Sequence, residues 1–141
     1  MRNQGRPQGY RGRNHRFDGL RAQSLRMRVI AENLANADSV SAGPGGQPYR
    51  RRIPSFRAEM NRASGATQVS VTTIKGDRSA FPRAYQPGNP AADAKGYVLM
   101  PNVNALTETA DMKAAQRGYE ANLNAIEAAR TLTMRTIDLL K

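Results

Sequence analysis

Leu20, Met27 and Leu34 recur at every seventh position, with Ser24 and Ala31 between them at spacings of four and three. That pattern is one narrow face of an amphipathic helix with a coiled-coil period. Arg21, Arg26, Arg28 and Glu32 fall on its other faces, and Arg28 and Glu32 are spaced for a weak i,i+4 ion pair. The helix, taken over 18–38, is expected to stop near Ala37. Beyond it Asp38, Ser39, Ser41, Gly43, Pro44, Gly45, Gly46 and Pro48 crowd the chain. A longer periodic stretch closes the sequence, over 106–141. From Leu106 to Leu140 there is no Pro and Gly118 is the sole Gly. Tyr119, Leu123, Ile126, Thr133, Ile137 and Leu140 step by four and three, with Arg130 filling one slot of the seam. Arg117–Glu120, Glu127–Arg130 and Arg135–Asp138 are opposite charges three apart, as on a solvated helix flank. About 35 residues at 1.5 Å each make a helix of about 50 Å. One small globule does not bury so long a stripe.

Between the helices, residues 39–105 read as a linker and a small β insert. Tyr49 to Phe56 has aromatic ends and Pro54 inside, which predicts an edge or bulged strand. Gln68 to Ile74 alternates Val69, Val71 and Thr73 against polar neighbours, the strongest strand pattern in the chain. Lys75-Gly76-Asp77 is expected to turn it. Pro87-Gly88 suits a type II turn, with Gly at the position that needs positive φ. Tyr97 to Met100 is a short apolar run ended by Pro101. The fold class is therefore α+β: two long terminal helices bracketing three or four short strands, with the ends of the chain pairing with each other and with other subunits.

Composition narrows the function. Apolar residues make up 39% of the 141 positions and aromatics 6%, with no Trp, so a large packed core is not expected. There is no Cys, which removes disulfides, thiolate metal sites and cysteine nucleophiles together. The single His, His15, sits in a run of Arg and Gly and supports neither a metal site nor a triad. No apolar stretch reaches the roughly 18 residues of a membrane span. Neither enzyme, cofactor nor metal is expected.

The charge is uneven. Residues 1–62 hold 13 basic and 4 acidic side chains, whereas residues 63–141 hold 9 and 7. The surplus lies in an arm, 1–17, and a cluster at Arg50, Arg51 and Arg52. One reading is a disordered solvated arm plus a charged strand. The other is a contact with nucleic acid or an acidic surface. The arm carries five Arg before residue 17 and lacks the apolar core of a secretory signal. Such a chain is expected to stay inside the cell or to leave without a cleaved signal.

Two further features invite a chemical reading and receive a plainer one. Gly43-Pro44-Gly45-Gly46 lacks the third Gly and the preceding strand of a dinucleotide fingerprint, so it is a linker turn. Glu108 and Asp111 share a helix face, but acids near a helix start are expected simply to complement its dipole.

Several ordered motifs carry a resemblance. Glu32-Asn33-Leu34-Ala35-Asn36-Ala37 resembles the Asn-rich signature of the flagellar rod, hook and hook-associated axial proteins. Tyr49-Arg50-Arg51, Tyr85 with Pro87-Gly88-Asn89-Pro90, Gly96-Tyr97-Val98 and Pro101-Asn102-Val103-Asn104 are similar to segments of the rod proteins of that family. The carboxy-terminal Ala110-Asp111-Met112, Arg117-Gly118-Tyr119-Glu120-Ala121-Asn122 and Thr136-Ile137-Asp138-Leu139-Leu140 complete the match, which runs from about Leu20 to Lys141. Met1 to Arg16 departs from the family, whose members usually begin with apolar helical residues.

The resemblance implies a structural subunit of the bacterial flagellar basal-body rod, needed for flagellum assembly and motility. Its terminal helices would pair as an antiparallel coiled coil lining an axial tube. Its partners would be other rod proteins, copies of itself and, in transit to the periplasmic space, the flagellar type III export apparatus. The assembly interface is expected at Leu20, Met27, Leu34, Tyr119, Leu123, Ile126, Ile137 and Leu140. Asn33 and Asn36 are expected to cap or cross-link backbone at the helix end, where Asn is favoured because it tolerates the left-handed conformation. The competing class is a small basic nucleic-acid-binding protein.

Overall fold

A computed structural model describes residues 17–60 and 67–141, with side-chain surroundings for 17–57 and 73–141. The basic arm, up to residue 16, lies outside the described residues. Six elements follow in order: α1 (Asp18–Ala35), β1 (Arg52–Met60), β2 (Thr67–Gly76), β3 (Arg83–Tyr85), β4 (Tyr97–Leu99) and α2 (Ala105–Leu139). The class is α+β.

The strands form two separate antiparallel pairs rather than one β element. In the first, Arg52 lies opposite Gly76 and Met60 opposite Thr67, with a slip in register between Ser55 and Phe56. The slip follows Pro54 directly, and proline has no N–H to give a ladder. Lys75 and Gly76 stay in the ladder opposite Ile53 and Arg52, so the chain reverses later than expected. The bend is made by Asp77, whose Oδ1 accepts from Ser79 N at 2.8 Å.

The second pair sets Arg83 opposite Leu99 and Tyr85 opposite Tyr97. Its connection corrects the expected type II turn, because Gly88 does not take positive φ; Gly96 does, at 86°. Asn89 explains the difference. Its N–H donates to Gln86 O at 3.0 Å and its Oδ1 accepts from Ala91 N at 2.9 Å, an Asx turn that needs no left-handed residue.

The helix ends are held by asparagines. Asn104 caps α2, its Oδ1 accepting from Leu106 N at 3.0 Å and Thr107 N at 3.2 Å. Asn36 closes α1 at φ −107°, so the left-handed conformation is not used there. It donates back through Nδ2 to Glu32 O at 2.9 Å instead.

α1 packs against the first half of α2, running the opposite way. Gly19 faces Asn122, Gln23 faces Gly118, and Asn33 sits at the level of Glu108. The buried positions of α1 are Ala22, Val29, Ile30 and Asn33. At 100° per residue they centre roughly 120° round the helix from Leu20, Met27 and Leu34. Those three are only half-buried. Two neighbours share the buried face: α1 packs on α2, where Gly19 and Gly118 let the helices approach, and on β1 and β2 of the first hairpin, which Ile30 and Asn33 meet. A face of Leu and Met would hold the helices apart. On α2 the buried residues are Glu108 and Ala115, and every position from Glu127 onward is exposed. A small satellite core under the second hairpin buries Val98, Ala91 and Pro101.

Candidate functional site

The run Tyr49-Arg50-Arg51-Arg52 leads from the linker into β1 and meets both helices. Asn33 is 1% exposed, and its amide grips Arg52 as a strand neighbour would. Its Nδ2 donates to Arg52 O and its Oδ1 accepts from Arg52 N, both at 2.9 Å. The Tyr49 hydroxyl donates to the same Oδ1 at 2.8 Å. Burial raises the pKa of that hydroxyl, with Glu32 and Glu108 adding to the effect and Arg52 opposing it.

Each of the three arginines has its own partner. Arg50 donates to Asp77 O at 2.6 Å and lies 4.3 Å from the Phe81 ring centroid, a cation–π arrangement. Arg52 reaches Glu32 at 3.8 Å, the acid expected to pair with Arg28. Arg51 points inward. Its Nε donates to Glu108, its Nη1 to Asp77 at 3.2 Å, and its Nη2 lies 3.6 Å from Asp111. Burial works against the Arg51 charge, but Glu108 and then Asp77 outweigh it and raise its pKa.

Glu108 and Asp111 are thus more than complements to a helix dipole. They receive Arg51, the residue just before β1, and Glu108 is fully buried while doing so. Breaking such a pair by removing one partner leaves an uncompensated buried charge, which makes it a strong positional constraint. Asn102 completes the junction: its Oδ1 accepts from Arg51 N at 2.7 Å and its Nδ2 donates to Asp77 O at 3.0 Å. The Asp77 bend and α2 therefore meet on the Arg51 guanidinium just before β1, while the segment before α2 holds the Arg51 backbone N–H. Glu108 and Asp111 had a readable signal in their spacing on one helix face. The sequence shows Asp77 only as part of a turn and Asn102 only as part of the Pro101-Asn102-Val103-Asn104 motif, because each meets Arg51 from a loop distant in sequence.

The expected interface residues are divided by the fold. Leu20 and Tyr119 come together, lining an open groove of about 460 Å³ with Phe17, Arg21 and Ser24. Met27, Leu34 and Ile126 are half-buried. Leu123 is 38% exposed, Ile137 49% and Leu140 82%, so the carboxy-terminal part of the seam faces solvent. Among the described residues there is no acid, His and Cys cluster suited to a metal ion, and no helix is long and apolar enough to cross a membrane.

The flagellar basal-body rod protein FlgC of Agrobacterium fabrum is 50% identical over 123 residues, 87% of this chain and 88% of the relative. The chain belongs to the FlgC family of flagellar basal-body rod proteins. FlgC of Salmonella typhimurium is 40% identical over 120 residues, covering 85% of this chain and 89% of its own length. FlgC of Aquifex aeolicus is 38% identical over 124 residues, covering 87% and 90%. The family model for the carboxy-terminal part of the flagellar basal-body rod FlgEFG proteins matches residues 94–139, which include all of α2. This FlgC-family protein is a structural rod subunit of the flagellar basal body and not an enzyme. The arginine cluster that suggested nucleic acid is engaged within the chain.

Proposed function

We propose that this rod subunit assembles by repeated heterologous contacts, one face of each copy meeting a different face of the next. Such contacts build an open helical tube when the rotation does not close. The observation that carries the reading is the far end of α2. Leu132, Met134, Ile137, Leu139 and Leu140 are between 49% and 86% exposed along a helix that has left its partner. Apolar surface of that kind marks an interaction face.

In the rod the terminal helices form an antiparallel coiled coil, and neighbouring subunits cover the remainder. Leu20, Met27 and Leu34 on α1, with Tyr119, Leu123, Ile126, Ile137 and Leu140 on α2, supply the apolar contacts. Asn33 and Asn36 hold the helix end against the strand. Other rod proteins and copies of the same chain are the partners, in the proximal rod of the periplasmic space. The chain reaches that space through the flagellar export apparatus without a cleaved signal, and the absence of Cys suits an oxidising destination.

Ile137→Asp tests this. The position is 49% exposed, so the subunit should fold and melt as the parent does. In a strain whose own copy is deleted, it should be produced but fail to restore rods or swimming. Normal swimming by Ile137→Asp and by Leu123→Asp would overturn the interface.

A further inference from the structure

Gly19 and Gly118 lie inside helices, where glycine is unfavourable relative to alanine. Each faces a side-chain amide of the opposite helix. A Cβ on Gly19 would run into the Asn122 amide, with Cγ at 2.9 Å. A Cβ on Gly118 would lie 2.9 Å from both Cδ and Nε2 of Gln23. The arrangement is reciprocal: each helix offers a glycine hole and, one turn away, an amide knob. One knob is tied by a hydrogen bond, and the other is enclosed with a buried oxygen that has no hydrogen-bond partner among the described residues. Asn122 Nδ2 donates to Gly118 O at 2.8 Å, and Gln23 is half-buried with its Oε1 shut away from solvent.

We propose that Gly19, Gln23, Gly118 and Asn122 form a register lock that fixes the alignment of α1 against α2. Consider a slip of one helical turn. In one direction Gly19 comes opposite Ile126 and Gly118 opposite Met27, so large side chains replace the amides while Gln23 meets Asn122. In the other direction Gly19 comes opposite Gly118, and hole faces hole. Neither alternative packs, whereas a heptad of Leu and Met alone discriminates weakly between turns.

The lock has a consequence for assembly. It sets Asp18 at the level of Leu123, and so determines that α2 projects beyond α1 from Asn124 onward. A lock of this kind specifies the length of helix offered to neighbours, which goes beyond the rod role itself.

The test exchanges knob and hole in the full-length chain. Leucine is a better helix former than glycine, so Gly118→Leu in an unconstrained helix would raise the melting temperature. The lock requires the opposite: Gly118→Leu should lower it by roughly 5 °C, the size of a shift expected from one such clash. Gln23→Ala alone should have a small effect, and Gln23→Ala with Gly118→Leu should recover most of the loss. Gly118→Ala with and without Gln23→Ala gives the same cycle in a milder form if the leucine variant does not accumulate. A Gly118→Leu or Gly118→Ala chain that melts at or above the parent overturns the lock, as does failure of Gln23→Ala to rescue. Melting of the purified chain involves no rod, so its outcome is separate from that of the assembly experiment.

Discussion

Among single residues, Asn33 does the most with the fewest atoms. Both polar atoms of its amide are used, and three hydrogen bonds converge on it. Asn33→Ala would leave the Arg52 N–H and C=O without their partner in a part-buried setting. Stranding buried groups costs about 1–3 kcal/mol, and here the lower end is expected, read as a lower urea midpoint with an unchanged slope. Asp77 adds a pH dependence. The Ser79 backbone N–H and hydroxyl lower its pKa most, with Arg51 contributing further. A depressed folded-state pKa means stabilisation that is complete above the usual carboxylate value of about 4 and lost as pH falls through the folded value. Stability should therefore drop as pH falls below about 4 and through the lowered folded-state value, and Asp77→Asn should flatten that slope in urea titrations at successive pH values. The sequence marked Asn33 as a residue that cross-links backbone, because a motif surrounds it. The partner was not legible: nothing local in Tyr49-Arg50-Arg51-Arg52 says that one arginine turns inward to acids more than 50 positions away.

At the scale of elements, hydrophobic alternation located the strand at Gln68–Ile74, and proline located the slip in its partner. Turn geometry was harder to read. Pro87-Gly88 and Gly96 are both glycine-bearing turns, and only the structure shows which one needs glycine. Gly96 takes φ 86°, and a Cβ there would lie 2.8 Å from the Tyr85 ring, whereas Gly88 has nothing within 4 Å. Gly96→Ala should destabilise the second hairpin by about 1–3 kcal/mol, the cost of a side chain in that backbone region. Gly88→Ala should be close to neutral, and thermal melts of the two variants compare them directly. Helix faces show the same division between legible and hidden. Period and length were readable for both helices. The buried face of α1 was not, because the heptad of Leu20, Met27 and Leu34 is the more hydrophobic stripe. Packing against α2 and the first hairpin together buries Ala22, Val29 and Ile30 instead.

For the whole molecule, the unequal lengths of the helices dominate. α1 has 18 residues and α2 has 35, so at 1.5 Å per residue α2 is longer by about 25 Å. Ordering a residue's backbone costs about 1–2 kcal/mol, and isolated helices are marginal without tertiary packing. The first half of α2 has that packing. It also has a capped start, a buried ion pair at Glu108 and the close approach around Ala115 and Gly118. In the second half, among the described residues, every side chain from Glu127 onward is exposed. Local stability should therefore fall along one continuous helix. Amide hydrogen exchange on the monomeric subunit should show protection over 108–122 and rapid exchange over 127–139. The same amides in isolated basal bodies should be protected throughout, since neighbours then cover the apolar side chains and ordering is coupled to assembly. Uniform protection across α2 in a verified monomer would mean that the helix is fully formed before assembly. Unprotected amides over 127–139 in the intact basal body would show that this surface is not the one subunits use.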